Sequence, residues 1–115
     1  MALVLLVDDD LNLLRALETL VTSDGYRVRT AVDGFDALSM VALEKPDLIV
    51  SDVMMPRMDG ADLVRALKSE PAHAHIPVIM LSAAAFPHGL PIHALLSKPF
   101  PAARLLEVLR EVQQP

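Results

Sequence analysis

The apolar positions of this chain fall into short runs, most of which are continuous rather than alternating. Continuous runs of this length are typical of strands buried on both faces of a parallel sheet. One run alternates instead, with Arg27 and Arg29 between Tyr26, Val28 and Thr30, as in an edge strand with one face in water. The predicted strands are, in chain order, Leu3–Val7, Tyr26–Ala31, Leu48–Ser51, Ile76–Leu81 and Ala94–Ser97.

Amphipathic segments separate these strands and predict helices. Asp10 can cap a helix that runs to about Val21, and Asp59 can cap a helix over Ala61–Ser69. Two further helices are predicted over Phe35–Leu43 and Ala102–Val112. Strands that alternate with helices form a parallel sheet with right-handed crossovers and helices on both faces. The sequence therefore predicts an α/β fold, a flavodoxin-like, doubly wound, five-stranded parallel sheet in the order 2-1-3-4-5.

Polar residues follow four of the predicted strands. They are Asp8 and Asp9 after the first strand, Asp52 after the third, Ser82 after the fourth and Lys98 after the fifth. The carboxyl ends of parallel strands open onto one crevice, so these side chains are expected to meet there. Three carboxylates at one point need a bound cation or a shared proton. The set predicts a divalent metal site at which the lysine and the serine can receive an anion.

Composition narrows the classes of function. At 115 residues the chain is expected to form one domain, residues 1–115, with an aliphatic core because aromatic residues make up only 3%. The formal net charge of −5 argues against a nucleic-acid partner, and the absence of cysteine excludes disulfides and thiolate metal sites. The apolar start, Met1–Val7, is too short for a signal peptide or a membrane span. We therefore expect a cytoplasmic protein with no membrane partner.

Four motifs resemble those of the receiver domain of two-component response regulators, in the CheY-like superfamily. They are Val7-Asp8-Asp9-Asp10, the segment Ser51–Gly60, Leu81-Ser82-Ala83 and Ser97-Lys98-Pro99-Phe100. The resemblance implies a single receiver domain, with no output domain in this sequence. It implies that Asp52 accepts a phosphoryl group from a phosphohistidine of a sensor histidine kinase or phosphotransfer protein. The domain would be no enzyme beyond its own phosphorylation and dephosphorylation, and would switch the binding of an output protein that the sequence does not identify.

The same resemblance implies roles for the other site residues. Mg²⁺ or Mn²⁺ would be held by Asp8, Asp9, Asp52 and the backbone carbonyl of Met54. Ser82 would hydrogen-bond a phosphoryl oxygen and act as a switch together with the residue at Leu95, and Lys98 would pair with the phosphoryl group. The Lys98–Pro99 peptide bond would be cis.

Other interpretations are open from the sequence alone. Asp8 and Asp9 could serve only the N-terminal dipole of a helix, and His73 and His75 form an H-x-H pair that could bind a metal. A non-phosphorylated receiver that acts as a protein-binding module is the second candidate function. An aspartyl-nucleophile phosphatase is the third, since Asp8-x-Asp10 resembles its first motif, although Asn12 does not fit that motif.

The chain departs from the family between the fourth and fifth strands. Once the fifth strand is subtracted, eleven of the fifteen residues between Ser82 and Lys98 are left for the fourth helix and its loops. These eleven include Pro87, Gly89 and Pro91, which disfavour a helix, so we expect the fourth helix to be short or missing. Leu95 also replaces the aromatic switch residue usual in the family. We therefore expect intact phosphorylation chemistry with a rebuilt signal output.

Two further predictions concern the rim of the site. In the family, the positions of Met54 and Ala84 tune how fast water removes the phosphoryl group, and both are apolar here. Neither can orient a water molecule, so we expect slow self-hydrolysis. Leu11 and Leu13 lie off the apolar stripe of the first helix; they are either buried by a wide core face or form a docking patch for a kinase helix bundle.

Overall fold

The structure, a computed structural model, describes residues 1–83 and 89–113. Its strands are β1 (Leu3–Val7), β2 (Arg27–Ala31), β3 (Leu48–Asp52), β4 (Val78–Ser82) and β5 (Ala94–Ser97). The helices of the described residues are α1 (Leu11–Ser23), α2 (Gly34–Leu43), α3 (Gly60–Ser69) and α4 (Ala102–Gln113). All strand pairs are parallel, and the sheet order is β2-β1-β3-β4-β5. The fold class and strand order predicted from the sequence are confirmed.

The sheet separates two layers of apolar packing. Every residue of β1, β3 and β4 is buried, which explains why their sequences are continuously apolar. Side chains alternate between the layers along each strand, so Leu5 packs with α2 and α3 while Leu6 packs with α1 and α4. β2 lies at the edge of the sheet, with Arg27 and Arg29 exposed, as its alternating sequence predicts.

The bounds of β1 and β5 are those predicted from the sequence, and the other strands and helices begin or end one or two residues away from the predicted boundaries. β3 extends through Asp52 and β4 through Ser82, so both predicted site residues are the last residues of their strands. α2 begins at Gly34 rather than Phe35 because the Asp33 side chain caps it, accepting a hydrogen bond from the Asp36 N–H at 2.8 Å. β4 begins only after Pro77, which has no N–H to donate to a neighbouring strand.

Much of the connection between β4 and β5 lies outside the described residues. The prediction of a short or missing fourth helix concerns 83–93, of which residues 84–88 are not described; Ala83 and residues 89–93 form no helix. Ala84 therefore also lies outside the described residues. Within residues 1–83 and 89–113, no helix is long and apolar enough to cross a membrane.

Candidate functional site

Three carboxylates lie together at the carboxyl end of the sheet. Asp8 and Asp9 directly follow β1, and Asp52 ends the neighbouring strand β3. One oxygen atom of each side chain lies within 4.8 Å of the other two. Asp8 and Asp52 are buried, whereas Asp9 is exposed. The adjacency of two strand ends thus produces the cluster that the sequence predicts.

Lys98 brings a positive charge to this cluster. Its Nζ donates a hydrogen bond to Asp52 Oδ1 at 3.1 Å and lies 3.5 Å from Asp8 Oδ2. Its backbone N–H donates to the Ser82 carbonyl at 2.7 Å, and the Lys98–Pro99 peptide bond is cis. Burial disfavours the charged ammonium and by itself would lower the pKa of Lys98. The hydrogen bond to Asp52 and the negative charges of Asp8 and Asp52 favour the ammonium more strongly, so the pKa of Lys98 is raised. The side chain is therefore a cation at neutral pH.

The cluster holds more negative charge than its own residues neutralise. Three carboxylates and one ammonium leave a formal charge of −2. Asp8 Oδ1 accepts a hydrogen bond from the Asp10 N–H at 2.9 Å, but the buried Oδ2 has no hydrogen-bond partner within the described residues. Burial, together with the charge of Asp52, raises the pKa of Asp8. A divalent cation that prefers oxygen ligands would neutralise this charge and satisfy Oδ2, so the residues present fit Mg²⁺ or Mn²⁺.

The other predicted site residues, Ser82, Leu95 and Met54, differ in their exposure to solvent. Ser82 is buried at the end of β4. Leu95 lies on the edge strand β5 and is 43% exposed. Met54 lies in the loop between β3 and α3, two residues after Asp52, and is 67% exposed. The Met54 side chain is thus open to solvent in the loop that follows Asp52, and Leu95 is partly open to solvent on the edge strand.

The two leucines at the start of α1 have different environments. Leu11 is 53% exposed, whereas Leu13 is half-buried and packs against the core. Leu13 also lines an apolar groove of about 590 Å³ between α1 and the β5–α4 connection, together with Leu17, Leu20 and Phe100. Lys98, whose Nζ contacts Asp52 and Asp8, also lines this groove. Leu13 therefore belongs to a wide apolar face, and Leu11 remains a surface residue.

Two alternative interpretations find no support in the structure. Asp10 caps α1, accepting hydrogen bonds from the Asn12 and Leu13 N–H groups at 3.1 and 3.2 Å. It is therefore occupied as a helix cap, which is not the role of the second acid in the phosphatase motif. His73 and His75 precede β4, at the opposite end of that strand from Ser82, and neither joins a group of metal-ligating side chains in the described part of the chain.

Sequence reasoning missed one ion pair of the loop that follows Asp52. The Arg57 guanidinium donates a hydrogen bond to the carboxylate of Asp33. This ion pair joins the β3–α3 loop to the N-terminus of α2. An Asp-Gly pair before an apolar helical pattern could have identified Asp33 as a cap. No local signal links it to Arg57, which is 24 residues away.

Known proteins resemble this chain in sequence. The family model described as the response regulator receiver domain matches residues 4–110. Response regulator PleD of Caulobacter vibrioides is 48% identical over 82 residues, which is 71% of this chain and 18% of PleD. Protein PilG of Pseudomonas aeruginosa is 44% identical over 79 residues, 69% of this chain and 58% of PilG. The matched part of the chain thus spans less than a fifth of PleD and just over half of PilG.

Solved structures resemble it over nearly its full length. The chemotaxis protein CheY4 of Vibrio cholerae has a TM-score of 0.91 at 33% identity, and the match covers 97% of this chain and 98% of that one. The signal receiver domain of a signal transduction histidine kinase from Syntrophus aciditrophicus also has a TM-score of 0.91, at 30% identity, covering 97% of this chain and 89% of that chain.

Proposed function

This chain belongs to the receiver domain family of two-component response regulators, and from that premise we propose that Asp52 accepts a phosphoryl group in a two-component phosphorelay. The observation that carries the proposal is the acidic cluster itself. Asp52 lies among two further carboxylates and accepts a hydrogen bond from Lys98, the arrangement expected of a carboxylate nucleophile beside a cation that can receive the incoming anion.

In the proposed reaction a carboxylate oxygen of Asp52 attacks the phosphorus of a phosphohistidine on a histidine kinase or phosphotransfer protein. A P–O bond forms as the P–N bond breaks, and the electron pair of that bond stays on the imidazole nitrogen, which takes up a proton. Lys98 Nζ, now bonded to Asp52 Oδ1, would pair with the phosphoryl oxygens. The Ser82 hydroxyl, at the end of the neighbouring strand, would donate a hydrogen bond to them.

The three carboxylates together support a metal-assisted reaction. Asp8, Asp9, Asp52 and the backbone carbonyl of Met54 would hold Mg²⁺ or Mn²⁺, and the bound ion would neutralise charge on the phosphoryl oxygens. The buried Asp8 Oδ2, which has no hydrogen-bond partner among the described residues, supports this assignment. We assign Asp9 the solvent-facing ligand position because its side chain is exposed.

Residues at the rim of the site are expected to affect how fast the phosphoryl group is hydrolysed and where the phosphohistidine protein binds. The exposed Met54 side chain cannot orient a water molecule, so we infer a long-lived aspartyl phosphate. We place the contact with the phosphohistidine protein on the exposed Leu11, which begins α1 after the acidic residues Asp8 and Asp9, and on the apolar groove, which Lys98 lines. Leu95, exposed on the edge of the sheet, would form part of the surface that an output protein reads.

The experiment that tests the proposal is intact-mass spectrometry after incubation with acetyl phosphate and Mg²⁺. We expect one phosphoryl addition to the wild type, none with EDTA, and none in the Asp52→Asn variant. Asp62→Asn, which removes an exposed carboxylate on α3, is the matched control and should be labelled like the wild type. A folded wild type that gains no phosphoryl group would instead favour a protein-binding module, and labelling of Asp52→Asn would show that another residue is the acceptor.

A further inference from the structure

We propose that the Arg57–Asp33 ion pair positions the loop between β3 and α3, and through that loop controls how tightly the three-carboxylate cluster binds a divalent cation. The inference rests on the proposed function, because the loop contains Met54, whose carbonyl is one of the proposed ligands. Arg57 and Asp33 are positioning residues in this proposal, since neither belongs to the acidic cluster.

The Asp33 carboxylate is buried and therefore needs hydrogen bonds and a positive charge close to it. Its side chain is only 5% exposed, and a buried carboxylate is costly unless it is paired and hydrogen-bonded. One oxygen accepts the Asp36 N–H that caps α2, and the other accepts the Arg57 guanidinium. The backbone hydrogen bond and the Arg57 charge lower the pKa of Asp33, so the carboxylate is ionised at neutral pH. Both of its oxygens are therefore engaged, one by α2 and one by the β3–α3 loop.

Arg57 adopts an unfavourable backbone conformation in making this pair. Its φ is 66°, in the left-handed region that residues with a Cβ rarely occupy. The Met58 N–H donates to the Pro56 carbonyl at 2.8 Å, which closes a tight three-residue turn with Arg57 at its centre. Glycine would adopt this φ without strain. An arginine at this position is explained if its side chain makes a contact that glycine cannot make. The contact that the structure shows is the ion pair with Asp33.

The same loop is held at three places. At its start the Val53 N–H donates to the Leu81 carbonyl at 3.0 Å, and at its end the Gly60 N–H donates to the Val53 carbonyl at 2.9 Å. In its middle the Met58 carbonyl accepts the Gly34 N–H at 3.2 Å. The Arg57–Asp33 pair adds a charged contact next to this last hydrogen bond. The middle of the loop is thus fixed against the N-terminus of α2.

Holding the loop fixes the stretch that contains Met54. That residue lies between the hydrogen-bonded Val53 and the turn at Pro56, with few backbone dihedral angles free to change. If the middle of the loop is released from α2, the Met54 carbonyl can sample other orientations. Outer contacts that orient metal ligands commonly change metal affinity by tenfold or more when they are removed. We therefore expect loss of the pair to weaken cation binding by roughly tenfold.

The test measures Mn²⁺ affinity from the electron paramagnetic resonance signal of the free ion, alongside urea unfolding of each variant. Arg57→Gly removes the guanidinium and relieves the left-handed backbone, so it should fold well and yet bind Mn²⁺ roughly tenfold more weakly. Asp33→Asn keeps an acceptor for the Asp36 N–H and should weaken binding by the same factor. Arg57→Lys should recover part of the affinity. Arg65→Ala, which breaks an exposed pair with Asp62 on α3, is the matched control and should bind like the wild type.

The double variant Asp33→Asn, Arg57→Gly separates coupling from independent damage. One shared interaction predicts that it binds Mn²⁺ no more weakly than either single variant. Wild-type affinity in Arg57→Gly, or a double variant whose loss is the product of the two single losses, would overturn the inference. A wild type that binds no Mn²⁺ would overturn the proposed metal site as well, so the two failures are distinguishable.

Discussion

Gly60, the first residue of α3, lies against the backbone of Asp52, and a single added methyl group there should disturb both the fold and the site. A Cβ at this position would lie 2.4 Å from Met80 Cε and 2.5 Å from the carbonyl oxygen of Asp52. The end of a methionine side chain can move aside. The Asp52 carbonyl cannot move so easily, because the next residue, Val53, is hydrogen-bonded to Leu81 at 3.0 Å.

The distances set the expected size of the effect of Gly60→Ala. Ordinary contacts begin at 3.4 Å, so the end of β3 and the start of α3 must separate by roughly 0.9 Å. Overpacking of this kind costs about 1–3 kcal/mol, and the better helix propensity of alanine offsets at most about 1 kcal/mol. The middle of the resulting range, a net loss of about 1–2 kcal/mol, lowers the Tm of a domain of this size by roughly 5–10 °C. Because displacement of a reacting group by about 1 Å can cost 10²-fold in rate, phosphorylation should slow by at least about tenfold.

Gly25→Ala is the control, since it strains the backbone without touching the site. Gly25 has φ of 96° with nothing within 4 Å of an added Cβ, so its cost of roughly 1–2 kcal/mol comes from conformation alone. Thermal unfolding followed by circular dichroism should show similar losses for the two variants. Labelling by acetyl phosphate, timed by mass spectrometry at a temperature where both are folded, should be slow only in Gly60→Ala. Equal labelling rates in the two variants would refute the argument that Gly60 supports the position of Asp52.

Three further predictions concern single residues of the site. Asp8→Asn should stabilise the metal-free protein by about 1 kcal/mol at pH 7 in urea unfolding, because it removes a buried charge. The folded state of the wild type holds the Asp8 proton more tightly than the unfolded chain, so its stability falls as pH rises through the raised pKa. The advantage of the variant should therefore vanish below about pH 4, and Mg²⁺ should raise the Tm of the wild type alone. Met54→Asn should shorten the lifetime of the aspartyl phosphate several-fold, because the amide can orient a water molecule. If the wild-type lifetime is only seconds and this change leaves it unaltered, slow self-hydrolysis is contradicted. Leu11→Ser should slow transfer from a phosphorylated histidine kinase without changing labelling by acetyl phosphate, and undiminished transfer would exclude Leu11 from the docking surface.

Much of the fold was predictable because its signals are local. β1 and β3 lie inside a sheet covered on both faces, so an unbroken apolar sequence was sufficient to identify them. The edge position of β2 was visible in its alternation with arginine. The acidic cluster followed from one rule, that parallel strands place their carboxyl ends at the same edge. Boundaries were less predictable, since the start of β4 depends on the missing N–H of Pro77.

The parts of the site that could not be predicted depend on contacts between distant residues. Nothing near Arg57 in the sequence indicates that its side chain reaches from the β3–α3 loop to Asp33 at the N-terminus of α2. The burial of Leu13, in contrast to the exposure of Leu11, depends on how wide an apolar face α4 and the β5–α4 connection offer to α1. In these cases tertiary packing determines the contact, and the local sequence pattern does not indicate it.

The most direct test of the central claim locates the phosphoryl group on the chain. The protein would be labelled with acetyl phosphate and Mg²⁺ and then treated with borohydride, which reduces an acyl phosphate to an alcohol and so converts a phosphorylated aspartate to homoserine. Proteolysis and tandem mass spectrometry would then find the converted residue. We predict homoserine at position 52 alone, dependent on the metal ion and absent after EDTA. Conversion at Asp8 or Asp9, or none in a folded protein, would contradict the assignment of Asp52 as the phosphoryl acceptor.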